Sequence, residues 1–231
     1  MINDKKVVVI IPAYNEEESL PKVIAEIPDF ADEIVVVNNL STDNTSEVAK
    51  KAGAIVLSEN ERGYGAACLK AIEYIKNKNF DIVVFLDADY SDFPGEMDLI
   101  VNPIIKDDCD LVIGSRIIGN REKGSMLLQA VFGNWLATFL IVLFWKYKFT
   151  DLGPFRAIKY SSLTHLNMKD RNFGWTVEMQ IKAAKLRLKT TEVPVSYRKR
   201  IGKSKVTGTV KGTVKASIKI LYLIFKSLFI D

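Results

Sequence analysis

The chain has 231 residues, 48% of them hydrophobic and 26% charged, which suits one sizeable globular domain and excludes a disordered or low-complexity protein. Its two cysteines, Cys68 and Cys109, are isolated, so they build neither a disulfide framework nor a metal cluster and point to a reducing cytosol. The net charge of +4 is uneven: nine Lys/Arg against one acid from Arg198 to Asp231 give that tail +8 and leave −4 elsewhere. Such a tail suits phosphate groups or an anionic membrane surface, and no nucleic-acid partner is expected.

In chain order, continuous apolar runs alternate with helical patterns. "VVVIIP" at 7–12 reads as a buried strand and precedes the helical "EEESLPKVIAEI"; "EIVVVN" at 33–38 precedes "NTSEVAKKA". "AIVLS" at 54–58 leads to "GYGAACLKAIEYI", "DIVVFLD" at 81–87 to "GEMDLIVNPII", and "CDLVIGSR" at 109–116 closes the series. This order predicts a mainly parallel α/β sheet with helices on both faces. Ligands of such sheets bind outside the carboxyl ends of the strands, where "PAYNEE", "NNLSTDNT", "LDADYSD" and "GSR" all fall.

Asp87 and Asp89 stand one residue apart at the mouth of a buried strand. Two such carboxylates repel each other and lose solvation unless a cation or hydrogen-bond donors compensate. A divalent cation is one physical reason for the pair, and an all-oxygen site favours Mg2+ or Mn2+. A strand-end turn with a helix-capping Asp is the plainer alternative for an isolated D-x-D.

The motif is not isolated. "VVVIIPAYNEEESL", "NNLSTDNT", "ERGYGAACLKAI", "FLDADYSD", "VIGSR", "TDLGPFRAI" at 150–158 and "YRKRIGKSKVTGT" at 197–209 together resemble the family 2 glycosyltransferases, in order along nearly the whole chain. Within that family the chain looks most like the dolichyl-phosphate and polyprenyl-phosphate glycosyltransferases. The resemblance implies a GT-A fold over 1–205, including an amphipathic segment at 126–149, and inverting transfer of a hexose of the glucose or mannose class. It places Pro12, Ala13, Tyr14, Glu16, Asn38, Arg62 and Gly63 around the nucleotide, and Asp87, Ala88 and Asp89 at the metal and sugar. It also implies Arg116 and Arg200, beside Asp89, as catalytic charges, with Arg156, Lys203 and Lys205 adding positive charge near donor diphosphate and acceptor phosphate.

Two positions depart from the family pattern. Its usual acidic turn is replaced by Asn38-Asn39-Leu40-Ser41, and an amide pairs its own donor and acceptor with uracil more readily than with guanine. Mannosyl-transferring members tend to carry Gln where Ser91 stands. Both favour a UDP-sugar over a GDP-sugar.

Met126–Trp145 holds 20 residues without a charge, about the length that crosses a bilayer core. "GSR" before it and "TDLGPFR" after it belong at one active site in the family, so a single span is not expected. Leu128, Phe132, Trp135 and Phe139 share one bulky stripe, with Gln129, Gly133, Asn134, Ala137 and Thr138 opposite. The pattern suits an interfacial helix or hairpin arm, or a stripe packed against the protein's own sheet or a second subunit. Over 206–231, Lys211, Lys215, Lys219 and Lys226 share one quarter of a helical wheel, the pattern of a basic amphipathic helix on an anionic surface. A peripheral or monotopic protein at the cytoplasmic membrane face is expected, and oligomerisation is left open.

The acceptor follows from charge. A hydroxyl needs a general base, whereas a phosphate monoester arrives anionic. Asp151 and Glu178 are the carboxylates available as a base, and His165 reads as an ordinary surface or capping residue. Basic residues beside apolar surface favour a polyprenyl phosphate. Relatives often carry an Arg near Gln129, so Arg121 or Lys123 is expected to hold that phosphate here. The alternatives are transfer to a sugar hydroxyl in surface-polysaccharide assembly and a non-catalytic nucleotide-binding scaffold.

Overall fold

The computed structural model describes residues 1–202 and 210–229. Among the described residues seven strands form one sheet: β1 (Val7–Ala13), β2 (Glu33–Asn38), β3 (Ile55–Ser58), β4 (Ile82–Phe85), β5 (Leu111–Ser115), β6 (Arg156–Lys159) and β7 (Thr190–Pro194), in the order β3-β2-β1-β4-β6-β5-β7. Every pairing is parallel except those of β6, which runs antiparallel between β4 and β5. In the centre Ile10 lies opposite Val35 on one side and Phe85 on the other, and all three are fully buried. Burial on both faces is why these strands read as unbroken apolar runs.

The helices are α1 (Leu20–Ala25), α2 (Thr45–Lys51), α3 (Tyr64–Ile75), α4 (Met97–Lys106), α5 (Leu128–Trp145), α6 (Tyr160–Leu166), α7 (Trp175–Lys185) and α8 (Val210–Lys226). The core splits into two layers. On one face α1, α2 and α4 cover Val7, Val9 and Ile11. On the other, α3, α5, α6, α7 and α8 cover Val8, Ile10 and Phe85, with Trp175 packed edge-on against Phe85 at 5.8 Å between ring centroids. The expected α/β architecture is thus present.

Two strands were not anticipated from the sequence. β6 has four residues beginning and ending in a cation, and β7 is a half-buried edge strand, so neither carries an apolar run.

The small and polar face of α5 is the one turned inward. Asn134, Ala137, Thr138 and Ile141 are buried, while Leu128, Phe132, Trp135, Phe139 and Leu143 are exposed, Leu128 by 85%. The bulky stripe does not pack on the protein's own sheet. Small residues let α5 sit close, and Asn134 donates to the Thr150 carbonyl (3.0 Å) and accepts from the Leu152 amide (2.7 Å). α8 lies against α5 and α7, burying Ile224 and leaving Val214, Ile218, Tyr222 and Phe225 outside. Phe144 and Phe225 meet at 5.9 Å, so the exposed apolar surfaces of α5 and α8 adjoin. Among the described residues α5 is the one helix long and apolar enough to cross a membrane.

Candidate active site

The carboxyl ends of β1 and β4 lie side by side, and a cleft of about 810 Å³ opens over them. Pro12, Ala13, Tyr14 and Glu16 leave β1, and Asp87, Ala88 and Asp89 follow β4. Arg62 and Gly63, just before α3, close a third side, with the Arg62 guanidinium 4.8 Å from the centroid of the Tyr14 ring. Gly63 and Gly65 allow a very close approach: a Cβ on either would fall 2.0 Å from a backbone oxygen of the 170–171 loop. All these sequence-predicted residues except Asn38 meet in one place.

Asn38 is occupied elsewhere. Its amide donates to Ser46 Oγ (2.7 Å) and its carbonyl accepts from the Ser41 amide (2.9 Å), so it shapes the turn and does not line the cleft. Its neighbour Asn39 lines the cleft instead, donating to the carbonyls of Glu59 (3.0 Å) and Glu61 (2.7 Å) and accepting from the Gly63 amide (2.7 Å). The residue the sequence argument assigned to the base therefore lies outside the cleft, and both N–H groups of Asn39 are engaged by carbonyls.

Asp89 is buried, and its Oδ1 accepts from the Ser91 amide (2.9 Å) and hydroxyl. Its Oδ2 pairs with Arg200 (2.9 Å), which also reaches Glu16 Oε1 (3.1 Å). The backbone holds Arg200 there, because the Arg198 amide donates to the Ser91 carbonyl and the Ile201 amide to the Asp89 carbonyl, both at 2.9 Å. Asp87 Oδ1 is buried and makes no hydrogen bond of normal geometry, although the Tyr64 hydroxyl, also buried, stands near it. Burial first, and then the Asp89 charge, push the Asp87 carboxyl up to about 7. A buried carboxylate beside a second one, only partly offset by Arg200 and Arg116, is an oxygen donor set that a hard divalent cation fits. Among the described residues no three His, Cys, Asp or Glu side chains converge, so the protein's share of a metal shell would be Asp87 and Asp89. Phosphate and water complete the shell of Mg2+ in such sites.

A second cavity of about 550 Å³ lies beside the first, and Arg200 lines both. Arg116, Lys199 and Arg200 bring charge to its lining and Gln129, Asn134 and Tyr197 are among its neutral polar residues, with Met126, Leu127, Ala130 and Ile220 among the apolar ones. The fork of Arg116 is fixed: Nε and Nη2 donate to Asp151 at 2.8 and 2.7 Å, and its backbone amide adds a bond of 2.8 Å. Burial works against the Asp151 charge, but Arg116 outweighs it and holds the carboxyl below its ordinary range. Asp151 is thus engaged as the ion-pair partner of Arg116. Tyr197 lies under Arg116 at 5.0 Å, its phenol pushed up to about 12 by burial.

Other expected acceptor residues stand apart from this cavity. Arg156 is fully buried and donates to the carbonyls of Leu152, Gly153 and Thr176, and burial lowers it to about 10. It braces the loop after α5 instead of meeting an acceptor. Glu178 accepts from the backbone amides of Lys169 (3.0 Å) and Asp170 (2.7 Å) and pairs with Lys182, so it too is engaged within the fold. Arg121 and Lys123 are exposed and line neither cavity, whereas Lys199 lines the second one. Lys203 and Lys205 lie outside the described residues, as does the side chain of Lys211. Lys215 and Lys219, expected to face a membrane, line the donor-side cleft. Asn39, Lys199 and these two lysines were missed as site residues, although "NNLSTDNT" and "YRKRIGKSK" contained the first two.

Comparison with known proteins now bears on this geometry. The profile described as Glycosyl transferase family 2 matches residues 8–165. The chain belongs to that family. It is 34% identical over 218 residues to an uncharacterized glycosyltransferase of Mycobacterium tuberculosis, covering 91% of this chain and 94% of the relative. It is 29% identical over 214 residues to a UDP-N-acetylglucosamine–dolichyl-phosphate N-acetylglucosaminyltransferase of Methanococcus voltae, covering 83% and 85%. Among solved structures, glucosyl-3-phosphoglycerate synthase of Mycobacterium tuberculosis, in complex with Mn2+, UDP-glucose and phosphoglyceric acid, matches with a TM-score of 0.78 at 22% identity, over 99% of this chain and 81% of that one. The fold is therefore GT-A, and the family 2 enzyme transfers a sugar.

Proposed function

We propose that this transferase moves a hexose from a nucleotide sugar, a UDP-sugar first, to a polyprenyl phosphate at a membrane surface. The observation that carries the reading is the second cavity. It joins the donor-side cleft at Arg200, presents Arg116 and Lys199 to an anion, and has apolar walls from α5 and α8, whose outer faces are exposed and apolar. An acceptor with an anionic head and an apolar tail matches both linings.

The donor's base packs in the Tyr14/Arg62 corner, and its diphosphate lies toward Asp87, Asp89 and Arg200. A divalent cation held by Asp87 and Asp89 would neutralise charge on the departing diphosphate. Arg116, locked by Asp151, orients the acceptor phosphate so that an anionic oxygen attacks the anomeric carbon without a general base. The commitment of Asp151 and Glu178 to ion pairs and backbone amides favours this route over a hydroxyl acceptor. With Asn38 turned into its own loop, support for UDP comes from Ser91 in place of Gln and from the Methanococcus voltae relative, named for UDP-N-acetylglucosamine.

The test is transfer of radiolabelled sugar from UDP- and GDP-sugars, with Mn2+, to undecaprenyl phosphate in vesicles. The expected product is organic-soluble and acid-labile, as a glycosyl phosphodiester is. Label appearing only on a water-soluble phosphorylated acid or a free sugar hydroxyl refutes the lipid acceptor, and transfer from GDP-sugars alone reverses the donor.

A further inference from the structure

α8 is more than a membrane-facing tail, because its three faces meet three environments. Gly212, Lys215 and Lys219 line the donor-side cleft. Thr213, Ala216, Ser217 and Ile220 line the second cavity, and Val214, Ile218, Tyr222 and Phe225 face outward. The helix is thus the shared wall between the two cavities.

Its seat is well defined. Lys219 pairs at 2.7 Å with Asp170, whose side chain is 1% exposed. Asp170 in turn accepts from the amides of Asn172 (2.8 Å) and Gly174 (3.0 Å), and Asn172 and Phe173 line the same cleft. A Cβ at Gly174 would fall 1.9 Å from Leu223 Cδ1, so α8 packs directly on that loop.

Among the described residues four cationic side chains line the donor-side cleft: Arg62, Arg200, Lys215 and Lys219. Arg62 stacks on Tyr14, Arg200 is paired with Glu16 and Asp89, and Lys219 is paired with Asp170. Lys215 has neither an acid nor an aromatic partner among the described residues, though it stands in a cleft that also holds Asp87 and Asp89. We propose that Lys215 is a ligand to the diphosphate of the donor nucleotide, carried into the cleft by the C-terminal helix. This rests on the nucleotide-sugar reading above and deepens it. An ammonium on a flexible stem suits a phosphate group whose position varies during transfer, since it acts as a point charge and demands no fixed fork. One helix then serves the donor with one face and offers an apolar surface with another.

The experiment is calorimetry on the full chain with UDP and with GDP in the presence of Mn2+. Lys215→Gln is expected to weaken nucleoside diphosphate binding about fivefold, the upper end for a charge pair at an exposed site. Lys215→Arg is expected to retain most of the affinity, Lys226→Gln to change nothing, and competition by uridine, which lacks phosphate, to be equal in wild type and Lys215→Gln. Equal diphosphate binding by wild type and Lys215→Gln overturns the proposal while leaving the donor reading intact. Lys215→Gln that loses binding to phosphatidylglycerol vesicles but keeps diphosphate affinity also overturns it, in favour of a lipid headgroup. A wild type that binds neither UDP nor GDP removes the donor reading, and this role with it.

Discussion

Replacing Asp151 by Asn removes one partner of a buried ion pair and leaves the other charged. The Asp151 side chain is 0% and the Arg116 side chain 12% exposed, and three bonds of 2.7–2.8 Å join them. Breaking such a pair from one side costs about 3–5 kcal/mol, because an uncompensated charge stays buried. In a chain of this size 1 kcal/mol moves Tm by roughly 2–4 °C, so a drop of about 6–12 °C is expected at the lower figure. Arg116→Met with Asp151→Leu removes both charges and is expected to regain most of that stability, but not transfer, since the ligand proposed for the acceptor phosphate is gone. The pH dependence has a fixed sign. The Asp151 carboxyl is depressed in the fold, so its contribution is complete above the unfolded value of about 3.9 and disappears as pH falls through the folded value. The stability gap between wild type and Asp151→Asn, measured by urea denaturation, is therefore flat from neutral pH to about pH 5 and closes in stronger acid. A gap below about 1 kcal/mol at pH 7, or a double variant as unstable as the single one, refutes the ion-pair reasoning. Asp151→Asn with unchanged stability that loses the acid limb of its pH–rate profile would make Asp151 the base.

Two further outcomes are expected. Asp89→Asn keeps the shape of the side chain but removes charge from the cation site and from Arg200; turnover is expected to fall by about a hundredfold or more, Mn2+ binding followed by electron paramagnetic resonance to weaken, and the circular dichroism spectrum to stay the same, whereas wild-type turnover in this variant with metal chelated would exclude a metal role. Trp135→Glu with Phe139→Glu places charges on the exposed face of α5; cosedimentation with vesicles is expected to fall by on the order of tenfold while transfer to a short water-soluble prenyl phosphate persists, and undiminished cosedimentation would remove this face from membrane binding.

The sequence by itself determined the frame. β1, β2, β4 and β5 are legible as apolar runs because both faces of a central parallel strand are covered, and Asp87, Asp89, Tyr14 and Arg116 are legible because the chain leaves each strand at its carboxyl end. What only the tertiary structure decided depends on partners distant in the chain. β6 is a strand because β4 and β5 offer hydrogen bonds on both sides, not because of its four residues. Arg156 is tolerated in the core because three carbonyls meet it there, and Asp151 becomes a clamp because β5 delivers Arg116 to it. Asn38 and Asn39 are neighbours in the chain, yet one is engaged by Ser41 and Ser46 and the other by the strand-end loop at Glu59 and Glu61. A helical wheel divides α5 and α8 into faces but does not say which face is inside. Close packing decided that, seating Ala137 and Asn134 inward where bulky side chains would hold α5 away, and turning Lys215 and Lys219 toward the cleft because Asp170 and Gly174 fix how α8 lies.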